Sequence, residues 1–487
     1  MNPKRISLFI VVSLTVLFGI TFLSRTNIVQ GKKSDGFLVF NSLIKYPTTQ
    51  TFFMSEGISD AQIVHIDSIV GNIEQVVLED SENSDQTPAV VVPDYSRIDT
   101  ARVQKISWPT DNPDFRDELK EKLQSSGCRI IHYGDSQLEG DRITAYVRNR
   151  LQGLYGGEGP GFVPIKQAYD QVKAEVSHSE NWLRYAAFDP TQERFEHKKY
   201  GVYTSVSRFT PHYYISPDSL NLDTIPVTVA DITIGVSKKS YSRLRKFTRV
   251  GLHYGNAITP VSIKVYNDDV LVKEGNLIAD GNYHNYKIDL ETPPTALRIE
   301  LEAQVSPDFY GLTLDGKKGL SMDNVAMRGA SGTVFTKLDS KNFQQMTGEL
   351  KPDIFIFQYG GNSVPYLKDS TSIDNYSKYI YSNLRWVRKK AQNASFIFIG
   401  PSDMSTLENG RYITYRHLPY LNEKLKEVCL QNNVAYWSMF DAMGGANSMQ
   451  HWVDQKLAGS DYTHFSPSGT KVISELFFTA LYLDLMK

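Results

Sequence analysis

The hydrophobic positions change period several times along this chain. Arg129-Ile130-Ile131-His132-Tyr133 is a short apolar run that stops at Gly134-Asp135-Ser136, which predicts a strand and a turn. Ile143, Tyr146, Val147, Leu151 and Leu154 then share one face of a helix that ends at Gly156-Gly157. The same grammar returns after residue 350. A strand at Ile354-Phe355-Ile356-Phe357 runs into Gly360-Gly361-Asn362, and a helix follows with Tyr376, Ile380, Leu384 and Val387 on one face. Next come a strand from Ser395 to Ile399, a helix near Leu418 to Gln431, a strand from Val434 to Trp437 and a last helix after Pro467. Continuous apolar strands alternating with amphipathic helices predict a parallel sheet covered on both faces, an α/β class fold.

Between these halves the period drops to two. Val227 to Ile234, Val261-Ser262-Ile263-Lys264-Val265 and Leu297-Arg298-Ile299-Glu300-Leu301 alternate, and turns such as Asn267-Asp268-Asp269 and Asp280-Gly281-Asn282 separate them. This predicts an antiparallel β-sandwich over residues 165–320, inserted into the α/β domain. Near the N-terminus Ile6 to Leu23 carry no charge and follow Lys4 and Arg5. That reads as a signal anchor or signal peptide over residues 1–26, with anchor favoured. The positive flank predicts that the rest of the chain is exported, to the periplasm or cell envelope, with residues 6–23 as a candidate inner-membrane tether. Residues 27–110 read as an N-terminal extension and linker, acidic and polar from Leu78 to Pro88, with short strands expected at Phe37 to Phe40 and Val90 to Val92.

Composition narrows the function. Of 487 residues, 52 are Lys or Arg and 54 Asp or Glu, a formal charge of −2, so no basic field exists to attract nucleic acid. Two cysteines, Cys128 and Cys429, are too few for a disulfide framework or a four-ligand zinc site. No metal cluster or phosphate loop is apparent, and no cofactor is expected.

Ser136 follows a predicted strand, at the carboxyl edge where open α/β sheets place their active sites. A serine hydroxyl needs a base to take its proton and a carboxylate to orient that base. Of ten histidines, only His464 has an aspartate three residues before it, Asp461, and both lie on a loop before the C-terminal helix. The tetrahedral oxyanion would be held by the Ser136 and Gly329 N–H groups and the Asn362 side-chain amide. His132 reads as a satisfied core or supporting histidine. Asp135 and Asp141 are expected to fix the turn and the helix start, and Arg142, Arg148 and Arg150 to form a solvated helix face. Tyr200, Tyr203, Phe209, Tyr213, Tyr214 and Tyr254 read as sandwich core rather than as sugar-stacking platforms.

These blocks, in this order, resemble the SGNH (GDSL-type) hydrolases. Gly134-Asp135-Ser136-Gln137 matches the first block, with Gln137 where many members have leucine. Gly329 stands for the second, with Gly332 a nearby competitor. Gly360-Gly361-Asn362-Ser363 matches the third, with Ser363 in place of the usual aspartate, and Asp461 with His464 matches the last. The 193 positions from Ser136 to Gly329 leave room for the β insertion. Together with Tyr155-Gly156-Gly157-Glu158-Gly159-Pro160-Gly161-Phe162 and Asp441-Ala442-Met443-Gly444-Gly445, this is similar to bacterial peptidoglycan O-acetylesterases, in which a carbohydrate-binding-like β domain interrupts the hydrolase. The resemblance implies a three-layer α/β/α hydrolase domain over 111–164 and 321–487, broken by a jelly-roll-like sandwich. It also implies a serine esterase that removes O-acetyl groups from an acetylated polysaccharide, peptidoglycan first. An O-acetyltransferase with the same triad, or a non-catalytic polysaccharide-binding protein, are the alternatives.

Overall fold

The computed structural model describes residues 99–212 and 221–485 without a break and, before them, residues 12, 15, 36–39, 42–45, 68–71, 73 and 92–96. Most of the apolar run 6–23, the polar linker 78–88, most of the strand expected at 90–92, and Tyr213 and Tyr214 lie outside the described residues. Among the described residues no helix is long and apolar enough to cross a membrane. The first 58 residues form a unit of their own, in which Gly36–Val39 pairs antiparallel with Ser42–Lys45.

The second unit is built on five parallel strands: β1 (Arg129–Gly134), β2 (Ser321–Ala326), β3 (Ile354–Gln358), β4 (Ser395–Ile399) and β5 (Ala435–Trp437). They lie in the order β2-β1-β3-β4-β5. Among the described residues six longer helices cover the sheet: α1 (Phe115–Gln124), α2 (Arg142–Tyr155), α3 (Ser340–Leu350), α4 (Ser370–Arg388), α5 (Leu418–Leu430) and α6 (Pro467–Leu485). Alternation along each strand sends Ile130, Ile354, Ile356, Ile397 and Ile399 into one apolar layer with α1, α2 and α6. Tyr133, Phe355, Phe357, Phe396 and Phe398 go to the opposite face, against α3, α4 and α5. Both faces are therefore buried, which is why these strands read as unbroken apolar runs.

The chain leaves this domain after α2 and returns at β2. Between them lie two antiparallel sheets. One runs in the order Val270–Leu277, Val261–Asn267, Ala296–Ala303, Thr228–Gly235, Glu175–His178. The other runs His284–Asp289, Arg249–Gly255, Asp308–Asp315, Ser205–Arg208, Leu183–Ala186, with Gly161–Val163 also paired to Asp308–Asp315. Alternating residues of both sheets, among them Ile232, Leu252, Ile263, Ile299 and Leu312, pack into one core. Phe209 and Tyr254 lie in this core as expected, whereas Tyr200 and Tyr203 are buried instead in the apolar layer that holds Tyr133 and Phe355 of the parallel sheet, because their segment packs between the two domains.

A buried polar joint fastens the insert to the parallel sheet. The Arg129 guanidinium, at the start of β1, pairs with Asp323 on β2 at 2.8 Å and with Asp315 on the last strand of the insert. Asp323 also accepts from the Phe162 N–H at 3.0 Å and the Tyr203 hydroxyl at 3.2 Å. The glycines of the 155–162 segment permit this approach. A Cβ on Gly161, at φ +70°, would sit 2.2 Å from the Met322 carbonyl oxygen, and one on Gly159, at φ +91°, 2.2 Å from that of Leu314.

Two expectations for α2 are overturned. Arg148 and Arg150 do not form a solvated face: Arg148 is fully buried, bonded to Asp141 at 2.7 Å and to the Met322 carbonyl, while Arg150 pairs with buried Glu475 of α6 at 3.0 Å. The helix is covered on several sides, by the sheet, by α6 and by the insert, and residues 143–153 are all buried. Asp141 likewise makes no capping bond at the helix start, because its carboxylate is taken by Arg148. Cys128 and Cys429 are both buried and unpaired.

Candidate active site

Strand order 2-1-3-4-5 opens a crevice where the chain direction of winding reverses, between β1 and β3, at their carboxyl ends. The two strands deliver one residue each. Ser136 opens a 3₁₀ turn (Ser136–Asp141) directly after β1, and Asp135 fixes that turn by accepting the Gln137 N–H at 3.0 Å. Gly134 has no room for a side chain, since a Cβ would lie 2.6 Å from Leu138. After β3, Gly360 at φ +129° turns the chain into a second 3₁₀ segment (Gly361–Tyr366), which carries Asn362.

The third component arrives on the loop before α6. Asp461 accepts the backbone N–H groups of Thr463 at 3.1 Å and His464 at 3.0 Å through Oδ1, and its Oδ2 lies 2.7 Å from His464 Nδ1. His464 Nε2 lies 2.9 Å from Ser136 Oγ. With Nδ1 facing a carboxylate, the imidazole proton belongs on Nδ1 and Nε2 is the acceptor turned to the serine. Burial alone would raise the Asp461 carboxyl, but the hydrogen bonds from the His464 ring and from the two backbone N–H groups outweigh it and hold it below the ordinary aspartate value. Asp461 therefore stays anionic. The His464 and Asp461 side chains are 42% and 53% exposed, so the relay sits at the surface where a large substrate can reach it.

The Asn362 amide nitrogen lies 3.3 Å from Asp135 Oδ2 and donates to the Ala330 carbonyl at 3.1 Å. An oxyanion would thus take one of its N–H groups from Asp135. Burial pushes the Asp135 carboxyl up to about 6, against the Gln137 N–H and the His464 ring, which pull it down. Ser136, Asn362 and His464 line one small depression of about 60 Å³, closed on its apolar side by Pro401, Met404 and Met439.

Gly329 does not line that depression. It lies in the turn after β2 at φ +73°, with open space where a side chain would project, and is joined to the site through Ala330, whose carbonyl holds Asn362. Its competitor Gly332 packs against Tyr359, where a Cβ would come within 2.9 Å. His132 is fully buried, with Nδ1 3.0 Å from Thr144 Oγ1, and burial lowers its pKa to about 3, so it is neutral. It supports the site at a distance, because Thr144 donates to Asn324, which in turn donates to the Leu138 carbonyl in the Ser136 turn.

Two supports were not readable in advance. Gln137, in the position where leucine is common, donates its amide to the Thr463 carbonyl at 2.9 Å and ties the serine turn to the histidine loop. Tyr412, on the hairpin Ser405–Glu408/Arg411–Thr414, stacks on Tyr462 with ring centres 3.5 Å apart. Tyr462 sits next to Asp461 at φ +54°. Partners more than 300 residues apart, or on a short hairpin, leave no periodic trace.

No family model matches the chain, and no curated protein matches it in sequence. A solved peptidoglycan O-acetylesterase superposes with a TM-score of 0.59, over 78% of this chain and 98% of its own, at 19% identity. The chain has the fold of that solved esterase. Coverage of 78% of this chain exceeds the parallel-sheet domain alone and so takes in part of the β insert. A putative GDSL-like lipase from Bacteroides ovatus (12% identity, 64% of this chain and 98% of its own, TM-score 0.26) superposes too loosely to add to this. So does a family two carbohydrate esterase from Clostridium thermocellum (11%, 53% and 93%, TM-score 0.24).

Proposed function

We propose that the chain is a serine esterase that removes O-acetyl groups from an envelope or extracellular polysaccharide, peptidoglycan first. The observation that carries this is the unbroken relay from Asp461 through His464 to Ser136, at the sheet edge where this topology binds ligands. Ser136 Oγ attacks the ester carbonyl carbon while His464 Nε2 takes its proton, and Asp461 stabilises the imidazolium that forms. The Ser136 N–H and the Asn362 amide hold the oxyanion, and the Gly329 turn serves it through the Ala330 carbonyl that positions Asn362. The C–O bond to the sugar breaks, the sugar oxygen leaves with the proton from His464, and an acetyl group remains on Ser136. Water, deprotonated by His464, then releases acetate and restores the serine.

The acetyl group and the polymer rest on separate supports. A depression of about 60 Å³ is far smaller than the pockets that enclose drug-sized ligands, and so favours a short acyl chain. The likeness to a peptidoglycan O-acetylesterase favours the wall polymer. That substrate agrees with the export expected from the charged flank and apolar run at the N-terminus, which we propose tethers the enzyme at the inner membrane.

Acetate released from O-acetylated peptidoglycan and from O-acetylated xylan, by wild type and by Ser136→Ala, tests the reading. Release by wild type alone, faster from peptidoglycan, is the expected result. Acetyl groups recovered on an added sugar acceptor, with little free acetate, would make the same triad a transferase. Release from neither polymer by the folded chain would overturn the esterase.

A further inference from the structure

Beside the serine turn the insert and the hydrolase domain enclose a second cavity, of about 250 Å³. Glu139, three residues beyond Ser136, and Arg328, next to Gly329, stand on its hydrolase wall. Gln167, Tyr169, Arg184 and Phe188 face them from the other side. This cavity is separate from the depression at Ser136 but shares the Ser136 turn with it through Glu139, while Arg328 comes from the turn after β2.

Arg184 is the anomaly. Its Nε is buried without a hydrogen-bond partner, and among the described residues its guanidinium makes neither a hydrogen bond nor an ion pair, lying 5.6 Å from the Phe188 ring centre. The carboxylate whose charge it feels, Asp189, is taken by the N–H and hydroxyl of Thr191 at 2.9 and 2.7 Å. The other carboxylate on the wall, Glu139, is 3.7 Å from Arg328, which lies over the Tyr169 ring at 4.6 Å. Glu139 is thus paired with Arg328, while Asp189 is bonded to Thr191 through Oδ1 and attracts Arg184 without an ion pair. Gln167 repeats the pattern, since its Oε1 accepts the Gln171 N–H at 2.8 Å while its buried Nε2 has no partner. A guanidinium whose buried Nε is unbonded, beside an idle amide donor, presents a planar fork that matches a carboxylate.

We propose that this cleft binds a carboxylate-bearing sugar unit of the polymer, with Arg184 forked on the carboxylate and the Gln167 amide donating to the same unit. The carboxylate has two chemical sources, a hexuronic acid or the lactyl ether of a muramic acid. That the unit belongs to the chain being deacetylated rests on the esterase reading; binding itself does not.

Calorimetric titration of the full chain with trigalacturonate, with a disaccharide carrying a free lactyl carboxylate, and with neutral xylotriose tests it. At least one acid should bind, and which one does identifies the source. Arg184→Gln should weaken that binding about tenfold or more, and Arg184→Lys, which keeps the charge and loses the fork, should weaken it less. Gln167→Ala should weaken it too, so a poorly folded Arg184 variant would not remove the test. Turnover of p-nitrophenyl acetate, which has no sugar, should stay within about twofold of wild type in each variant. Failure of both acids to bind, equal binding of xylotriose, or undiminished binding by Arg184→Gln would overturn the proposal. Loss of p-nitrophenyl acetate turnover in the wild type would instead overturn the esterase reading and leave the titration result standing.

Discussion

Ser136 is no more acidic by nature than any other serine, and its candidacy comes from three contacts: 2.9 Å to His464, 2.7 Å on to Asp461, and the Gln137 tie that holds the two loops together. Asp461→Asn should preserve this geometry while favouring the wrong imidazole tautomer, lowering kcat by about a thousandfold or more with little change in KM. Asn362→Ala removes one of the proposed oxyanion donors and should lower kcat by about a hundred- to a thousandfold, read on a soluble acetyl ester. Asp135 makes a prediction of a different kind. Its carboxyl is raised from 3.8 to about 6 by burial, so the folded state holds the proton more tightly than the unfolded chain does. Its favourable contribution is complete below pH 3.8 and is lost as pH rises through about 6. Between pH 4 and 7 wild type should therefore lose up to about 3 kcal/mol relative to Asp135→Asn, measured by urea unfolding of both proteins at each pH.

At the level of elements, the strands were legible because β1, β3 and β4 are continuous apolar runs ended by glycine or a polar turn, and the helix faces because Tyr376, Ile380, Leu384 and Val387 repeat at helical spacing. What could not be read was which helix would be covered on more than one side. The arginines of α2 look like a solvent face by their residue type, and only tertiary packing against α6 and the insert makes Arg148 and Arg150 interior residues. A buried ion pair stripped of one member leaves an uncompensated charge. Glu475→Leu, which strands Arg150 beneath Phe478, should cost about 3–5 kcal/mol in urea unfolding at pH 7. The relay residues themselves were legible for the opposite reason: Asp461 and His464 are three apart on one loop, and Ser136 directly follows a strand. Gly329 was the weakest match in sequence, and the structure sets it outside the depression that the others line.

At the scale of the whole molecule, two differently built domains share a buried polar joint, Arg129 with Asp323 and Asp315, beside an apolar seam in which Tyr203, Val206 and Tyr310 of the insert join Tyr133 and Phe343. Period-2 and unbroken apolar runs distinguished the domains in sequence, but the joint joins residues nearly 200 positions apart and is invisible there. Arg129→Met should loosen the coupling, so that calorimetry resolves two unfolding transitions where wild type gives fewer, and the lower one precedes loss of activity. The claim on which everything else depends is that Ser136 is acylated. Stopped-flow hydrolysis of p-nitrophenyl acetate by wild type and Ser136→Ala tests it directly. A rapid phase that releases no more than one p-nitrophenol per chain, followed by slower turnover, with both lost by about a thousandfold or more in the variant, is the predicted result. A folded Ser136→Ala protein that turns the ester over as fast as wild type would contradict it.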